Sequence, residues 1–231
     1  LEKDLLLKYG HNVDTLTRHS DDLEKLRFKG QVEGALSTPW NPFMAHRVKK
    51  KIQSFSPDVV HVHNTFPLFS PSIFAAMGKD AVRVLTLHNY RIFCPSAIPM
   101  RKNRVCIDCL TKKSALPSLV HGCYRGSRIA TLPLAAKVAL HRTLGTWQRN
   151  VDAFICLSEF QRQLMIESGL PAEKVYVKPN FYPTRPTPIP WEDRDNYVVF
   201  AGRLSQEKGV INLLKAWQRW GLQAPHLVLV G

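Results

Sequence analysis

No run of apolar residues in this chain approaches the roughly 20 that a membrane-spanning helix needs, and no charged-then-apolar leader opens it. These absences make a cytoplasmic setting the expectation. Acidic residues are scarce: 18 Asp and Glu stand against 32 Lys and Arg, a formal charge of +14. That balance favours anionic partners, whether nucleic acid, nucleotide diphosphates or an acidic membrane surface, without choosing among them. Several catalytic signatures are missing too. The chain has no G-x-S-x-G elbow, no H-E-x-x-H and no G-x-x-x-x-G-K-[ST]. Its strand-end loops offer no obvious pair of carboxylates of the kind that glycoside hydrolysis requires.

What is present is enough for a core: 231 residues, 45% of them hydrophobic, fit one large domain or one domain plus part of another. The first residue is Leu and the last six read "HLVLVG", a strand cut where a loop should begin, so a fragment is expected. Short β-branched runs recur at 13–18, 58–64, 82–89, 152–158, 174–179, 197–204 and 226–231. They are apolar nearly throughout rather than alternating, as in strands buried on both faces, and they predict a parallel α/β sheet. Between them, residues 39–55 set Trp40, Met44, Val48, Ile52 and Phe55 on one helical face, with Arg47, Lys49, Lys50 and Lys51 around the remainder. A core-facing helix with a solvated basic side is the expectation, ahead of a membrane-contact surface. A second helix spans 126–149, where Pro133 should kink it or mark its true start. A third, 158–168, opens on Ser158-Glu159 and stops at Gly169.

Prolines at 183, 186, 188 and 190 make "FYPTRPTPIPW" an extended linker. The expected organisation is a doubly wound domain over 1–180, a linker over 181–195, and the truncated start of a second Rossmann-like domain over 196–231. In that start, "VVFAGRLSQEKGV", a buried strand ends at Gly202, Arg203 follows, and Lys208 precedes the Gly209 that leads into a helix. The loop after a parallel strand is where α/β folds bind ligands, and two cations beside a helix amino terminus suit a diphosphate.

The succession "DVVHVHN", "VLTLHN", "DAFICLSEFQRQLMIESGLPAEKVYVKPN" and "YVVFAGRLSQEKGVINLLKAW" resembles the nucleotide-sugar glycosyltransferases of family 4, with GT-B architecture. The resemblance implies two doubly wound domains, the first for the acceptor and the second for the donor. It also implies a retaining sugar transfer from a nucleotide diphosphate to a glycan or lipid-linked acceptor, in bacterial cell-surface polysaccharide synthesis. Arg203, Lys208 and Gly202 match the family's diphosphate site, and His88 its catalytic strand-end histidine, a neutral imidazole able to donate to a sugar hydroxyl or the leaving phosphate. No catalytic metal is implied, and the acceptor suits a peripheral position at the inner membrane face. Nucleic acid is then an unlikely partner. The family's Gly-rich loop would precede Leu1 and its donor-side acidic motif would follow Gly231, so the fragment alone is expected to be inactive.

In "HVHN", His61 and His63 are expected to diverge, so that His63 with Asn64 serves the acceptor and no paired-histidine metal site forms. Ser158 and Glu159 match a family pair on the acceptor side, with a helix cap as the simpler reading. Asn180 resembles the first residue of a family Asn-Gly turn in which Phe181 replaces the Gly.

Four of five cysteines crowd between 94 and 123. Cys106-x-x-Cys109 has knuckle spacing, and Cys94 and Cys123 could complete a structural zinc site; free or redox-active thiols and disulfides stay open. The segment 90–125 reads as an insertion poor in core residues and made basic by Arg91, Arg101, Lys102, Arg104 and Arg125. Cys156 belongs to the core. Two further readings explain part of the pattern: a zinc-braced basic nucleic-acid-binding protein, which leaves the strand-end loops unexplained, and an inactive binding-only homologue.

Overall fold

The computed structural model describes residues 2–18, 27–184 and 186–231, so Arg185 of the expected linker lies outside the described residues. The chain divides into two compact units, Leu1–Phe181 and Tyr182–Gly231. Strands run in chain order as β1 Val59–Val62, β2 Val82–Leu87, β3 Met100–Arg101, β4 Arg104–Val105, β5 Ala153–Cys156, β6 Val175–Val177, β7 Tyr197–Ala201 and β8 His226–Val230.

In the first unit β1-β2-β5-β6 form a parallel sheet in that order. The parallel α/β class read from the apolar runs is therefore the one observed. Leu85, Leu87, Phe154, Cys156 and Val175 are all buried in its core, and burial of side chains of this size contributes about 1.5–3 kcal/mol each. At the amino ends of β2 and β5 the Arg83 guanidinium forks onto Asp152, with Nε and Nη2 donating at 2.8 Å each, and the Arg83 backbone N–H donates to the same carboxylate. These bonds pull the Asp152 carboxyl down to about 2. The fork fixes the register at one edge, and Leu87, Cys156 and Val177 then stand level at the other.

Residues 13–18 are an exception: 11–18 have no regular structure, although Leu16 still packs on the core. Asp14 accepts from the Thr15 N–H, the local side-chain-to-backbone bond that competes with a strand ladder, and its carboxylate pairs with Lys51.

The helix Pro42–Phe55 is capped by Asn41, whose side chain accepts from the Met44 N–H; Met44 and Val48 are buried, and Arg47, Lys49 and Lys50 are exposed. That is the core-facing arrangement with a solvated basic side. The helix Arg128–Thr143 runs through Pro133 from a Ser127 cap. Proline removes the donor to the carbonyl of Ile129, in the first turn of the helix, and Ile129 is strongly exposed.

On that helix His141 is fully buried, 2.8 Å from the Thr146 hydroxyl and 2.9 Å from the Pro39 carbonyl. A carbonyl only accepts, so Nε2 carries the proton and Nδ1 accepts from Thr146. Burial lowers its pKa from 6.5 to about 4. The sign follows: stability from the neutral ring is complete above pH 6.5 and is lost as pH falls towards 4, because there the unfolded chain binds the proton and the folded one does not. Urea midpoints of wild type and His141→Gln between pH 7 and 4 should diverge, the wild type losing about 3 kcal/mol more. Parallel pH dependence in the two proteins would contradict this.

The segment 90–125 holds the β3–β4 hairpin and the helices Asp108–Thr111 and Leu116–His121. Contrary to expectation it is not poor in core: Phe93 and Leu110 are each 1% exposed and belong to the main cluster. Arg91 and Arg101 are half-buried rather than part of an open basic surface.

In the second unit β7 and β8 pair in parallel, Tyr197 with His226 through Ala201 with Val230, joined by the helix Val210–Trp220.

Candidate functional site

The level ends of β2, β5 and β6 place His88, Leu157 and Lys178 side by side as the first residues beyond the sheet, with His63 just past β1. Together with Glu2, Thr86, Ile155, Pro179, Asn180 and Phe181, they line a cavity of about 350 Å³. It sits at the carboxyl ends of parallel strands, the position at which such sheets bind ligands.

Within it runs a chain of polar contacts. Lys178 Nζ lies 2.6 Å from Glu2 Oε1, Glu2 Oε2 lies 3.0 Å from His63 Nε2, and His63 Nδ1 lies 3.1 Å from His88 Nε2. The hydrogen bond from Lys178 holds the Glu2 carboxyl below its ordinary range, so it is a carboxylate and can only accept. His63 therefore donates through Nε2, and with the ring neutral its Nδ1 accepts from the His88 Nε2–H. Burial, reinforced by His63, lowers the pKa of His88, so its ring is neutral at pH 7. That order leaves Nδ1 of His88 as a lone pair with no partner among the described residues. The arrangement is an oriented imidazole whose far nitrogen can accept from a hydroxyl.

His61 corrects the expectation that the two histidines of "HVHN" diverge. Residues two apart on a strand share a face, and the rings of His61 and His63 lie 4.3 Å apart. His61 Nε2 is 2.7 Å from the Thr86 hydroxyl, and burial lowers the pKa of its ring. One ligand atom each from Glu2, His61 and His63 lie within 4.8 Å of one another, a spacing that could hold a cation. Glu2 already pairs with the Lys178 ammonium there.

Other expected residues have local partners. Asn64 accepts from the Phe66 N–H, an Asx turn at the cavity's edge. Ser158 caps the helix Glu159–Glu167 by accepting from the Gln161 N–H, and Glu159 is paired with Arg162 at 2.7 Å. None of these three lines the cavity. Asn180 and Phe181 do, so the residue that replaces the family glycine contributes a wall.

Sequence reading missed Glu2, Lys178, Thr86 and Gln161. Gln161 is 5% exposed; its amide donates to the Leu87 carbonyl and accepts from the Leu157 N–H, both at 2.9 Å, tying together the ends of β2 and β5 next to His88. The spacing Ser158-x-x-Gln161 is a capping-box signature and could have drawn attention to it. Gln161→Leu should cost about 1–3 kcal/mol for each polar group left unpaired, read from urea midpoints. An unchanged midpoint would remove Gln161 from this account.

Residues 4–185 match the sequence profile of Glycosyltransferase Family 4. The chain belongs to glycosyltransferase family 4. It thus carries a glycosyltransferase domain, with a sugar donor and an acceptor as its partners in general. No curated protein matches the chain. The family match includes the whole four-stranded sheet and every residue lining the His63–His88 cavity except Glu2, and ends before Arg203 and Lys208.

In the second unit, Gly202 follows β7 and its N–H donates to the Val230 carbonyl at 2.8 Å. Arg203 is exposed and 3.4 Å from Glu207, and Lys208 closes a short 3-10 turn. Gly209, at φ 76°, caps the helix Val210–Trp220 in a backbone conformation suited to glycine, and no side-chain cap covers the first turn. Lys208 thus stands just before a helix amino terminus without a side-chain cap, and Arg203 lies in the loop that leads to it, an arrangement that suits an anion. Among the described residues, no helix is long and apolar enough to cross a membrane.

Proposed function

We propose that the protein transfers a sugar, with retention, from a nucleotide-diphosphate donor to a glycan or lipid-linked acceptor, in the synthesis of bacterial cell-surface polysaccharide. The observation that carries this reading is the neutral, oriented His88 at the ends of parallel strands in a family 4 chain. In this reading the first unit receives the acceptor at the His63–His88 cavity, and His88 Nδ1 accepts from a sugar hydroxyl. The second unit holds the donor diphosphate with Arg203, Lys208 and the backbone at Gly202. Cations fixed at the leaving phosphate act where negative charge develops, so their effect is larger in the transition state than in the ground state. The exposed Arg47, Lys49 and Lys50 suit a peripheral position on an anionic membrane at the cytoplasmic face.

The test is turnover and binding by the complete open reading frame across UDP-, GDP-, ADP- and dTDP-sugars, with the anomeric configuration of the product read by NMR. Selective use of one donor with retained configuration is the expected result. Indifference to every donor, with salt-sensitive binding to random duplex instead, would overturn it in favour of nucleic-acid binding.

A further inference from the structure

Cys94, Cys106, Cys109 and Cys123 come from three separated stretches: the loop after β2, the end of the β3–β4 hairpin with the helix Asp108–Thr111, and the turn after Leu116–His121. None forms a disulfide. Cys109 stands close enough to the other three for their charges to act on it, and Cys123 is within the same reach of Cys94 and Cys106. A fold that gathers four thiols from so many turns needs a reason, since thiols contribute little to one another as packing.

The surroundings supply one. Arg91 and Lys137 lie beside Cys94, Arg101 beside Cys123 and Arg142 beside Cys109. Lys137 is 3% exposed and donates only to the Arg91 carbonyl. Arg142 donates to the Ser168 carbonyl and stacks on Phe93 at 3.8 Å. Arg101 Nε and Arg142 Nε and Nη2 are buried with no hydrogen-bond partner. Among the described residues none of the four cations pairs with a carboxylate; Asp108, the acidic group acting on Cys123, adds to the negative side. Burying so much positive charge is costly unless an anion compensates it, and four neutral thiols carry no charge. Four thiolates around a divalent ion carry a net charge of −2.

We infer that Cys94, Cys106, Cys109 and Cys123 bind one zinc ion as thiolates, and that Arg91, Arg101, Lys137 and Arg142 are the counter-charges of this anionic centre. The Cys106-x-x-Cys109 step is the knuckle of a structural site, and an all-thiolate set selects a soft ion such as zinc over magnesium or calcium. Among the described residues, Glu2, His61 and His63 have their ligand atoms within 4.8 Å of one another and the thiols do not, so binding draws the four sulfurs inward. Cys106 and Cys123, both half-exposed, give the ion its way in. The bound ion ties the loop after β2, through Cys94 six residues beyond His88, to the hairpin and the two short helices. It also holds Tyr124, whose ring lies against Phe66 and Arg91, next to the turn that follows His63.

The experiment is metal analysis of the full chain by mass spectrometry after gel filtration, with thiols counted before and after release. About one zinc per chain is expected, with four thiols protected until a mercurial displaces the metal. Cys109→Ser and Cys123→Ser should each lower retained zinc at least tenfold, whereas Cys156→Ser, at the buried core cysteine, should not. A folding defect in the site variants would also lower retained zinc, so cobalt is added to stripped wild-type protein, and a thiolate-to-cobalt charge-transfer band in the near ultraviolet is expected. Four thiols freely alkylated in the native state, disulfides in the intact mass, or iron with visible absorption in place of zinc would each overturn the proposal.

Discussion

Arg203→Ala combined with Lys208→Ala is expected to weaken binding of the nucleotide diphosphate by about 10²–10⁴. Hydrogen bonds to charged groups contribute about 1.5–3 kcal/mol each, and every 1.4 kcal/mol is tenfold in affinity. Neither cation is buried, so neither is needed for the fold, and the variant should unfold at the wild-type midpoint. The site also holds a competitor. Glu207, 3.4 Å from Arg203, must release the guanidinium when the donor arrives, so Glu207→Gln should tighten nucleotide binding slightly while the double variant weakens it. Calorimetric titration with UDP, GDP and ADP reads both effects. Equal affinity in wild type and double variant would remove the strand–loop–helix of the second unit from the donor site.

His88→Ala is expected to lower kcat by about 10²–10³, the cost typical of removing one oriented polar group from the reacting centre. Its pH dependence separates this role from a structural one. Because burial and His63 lower the ring's pKa, the acid fall in activity should come at lower pH than for an ordinary histidine. Protonation there places a hydrogen on Nδ1 and turns the acceptor into a donor. The acid limb should vanish in the alanine variant along with most of the rate. A variant that keeps both its rate and the acid limb would show that His88 is a strand-end residue without a part in transfer.

Those two sites were legible to different degrees. "GRLSQEKG" reads as strand, turn, cations and helix start because all four signals lie within one short stretch, and local order is enough to place them. His88 was visible as the polar residue ending an apolar run. Its partners were not. Glu2 is 61 residues from His63, and Lys178 is 90 residues beyond His88; only the level ends of β2, β5 and β6 bring them together. The divergence expected of His61 and His63 failed on geometry that the sequence did contain, since alternate residues of a strand share a face.

Readable from the residues alone were the α/β class, six of the eight strands, the capped helices and the presence of four clustered cysteines. Each is a matter of local pattern: apolar runs, caps and spacing act over a turn or a strand. Tertiary contacts decided that segment 90–125 joins the main core, that Glu2 links Lys178 to His63, and which cations surround the thiols. These depend on partners distant in sequence, where burial and charge compensation outweigh local preference.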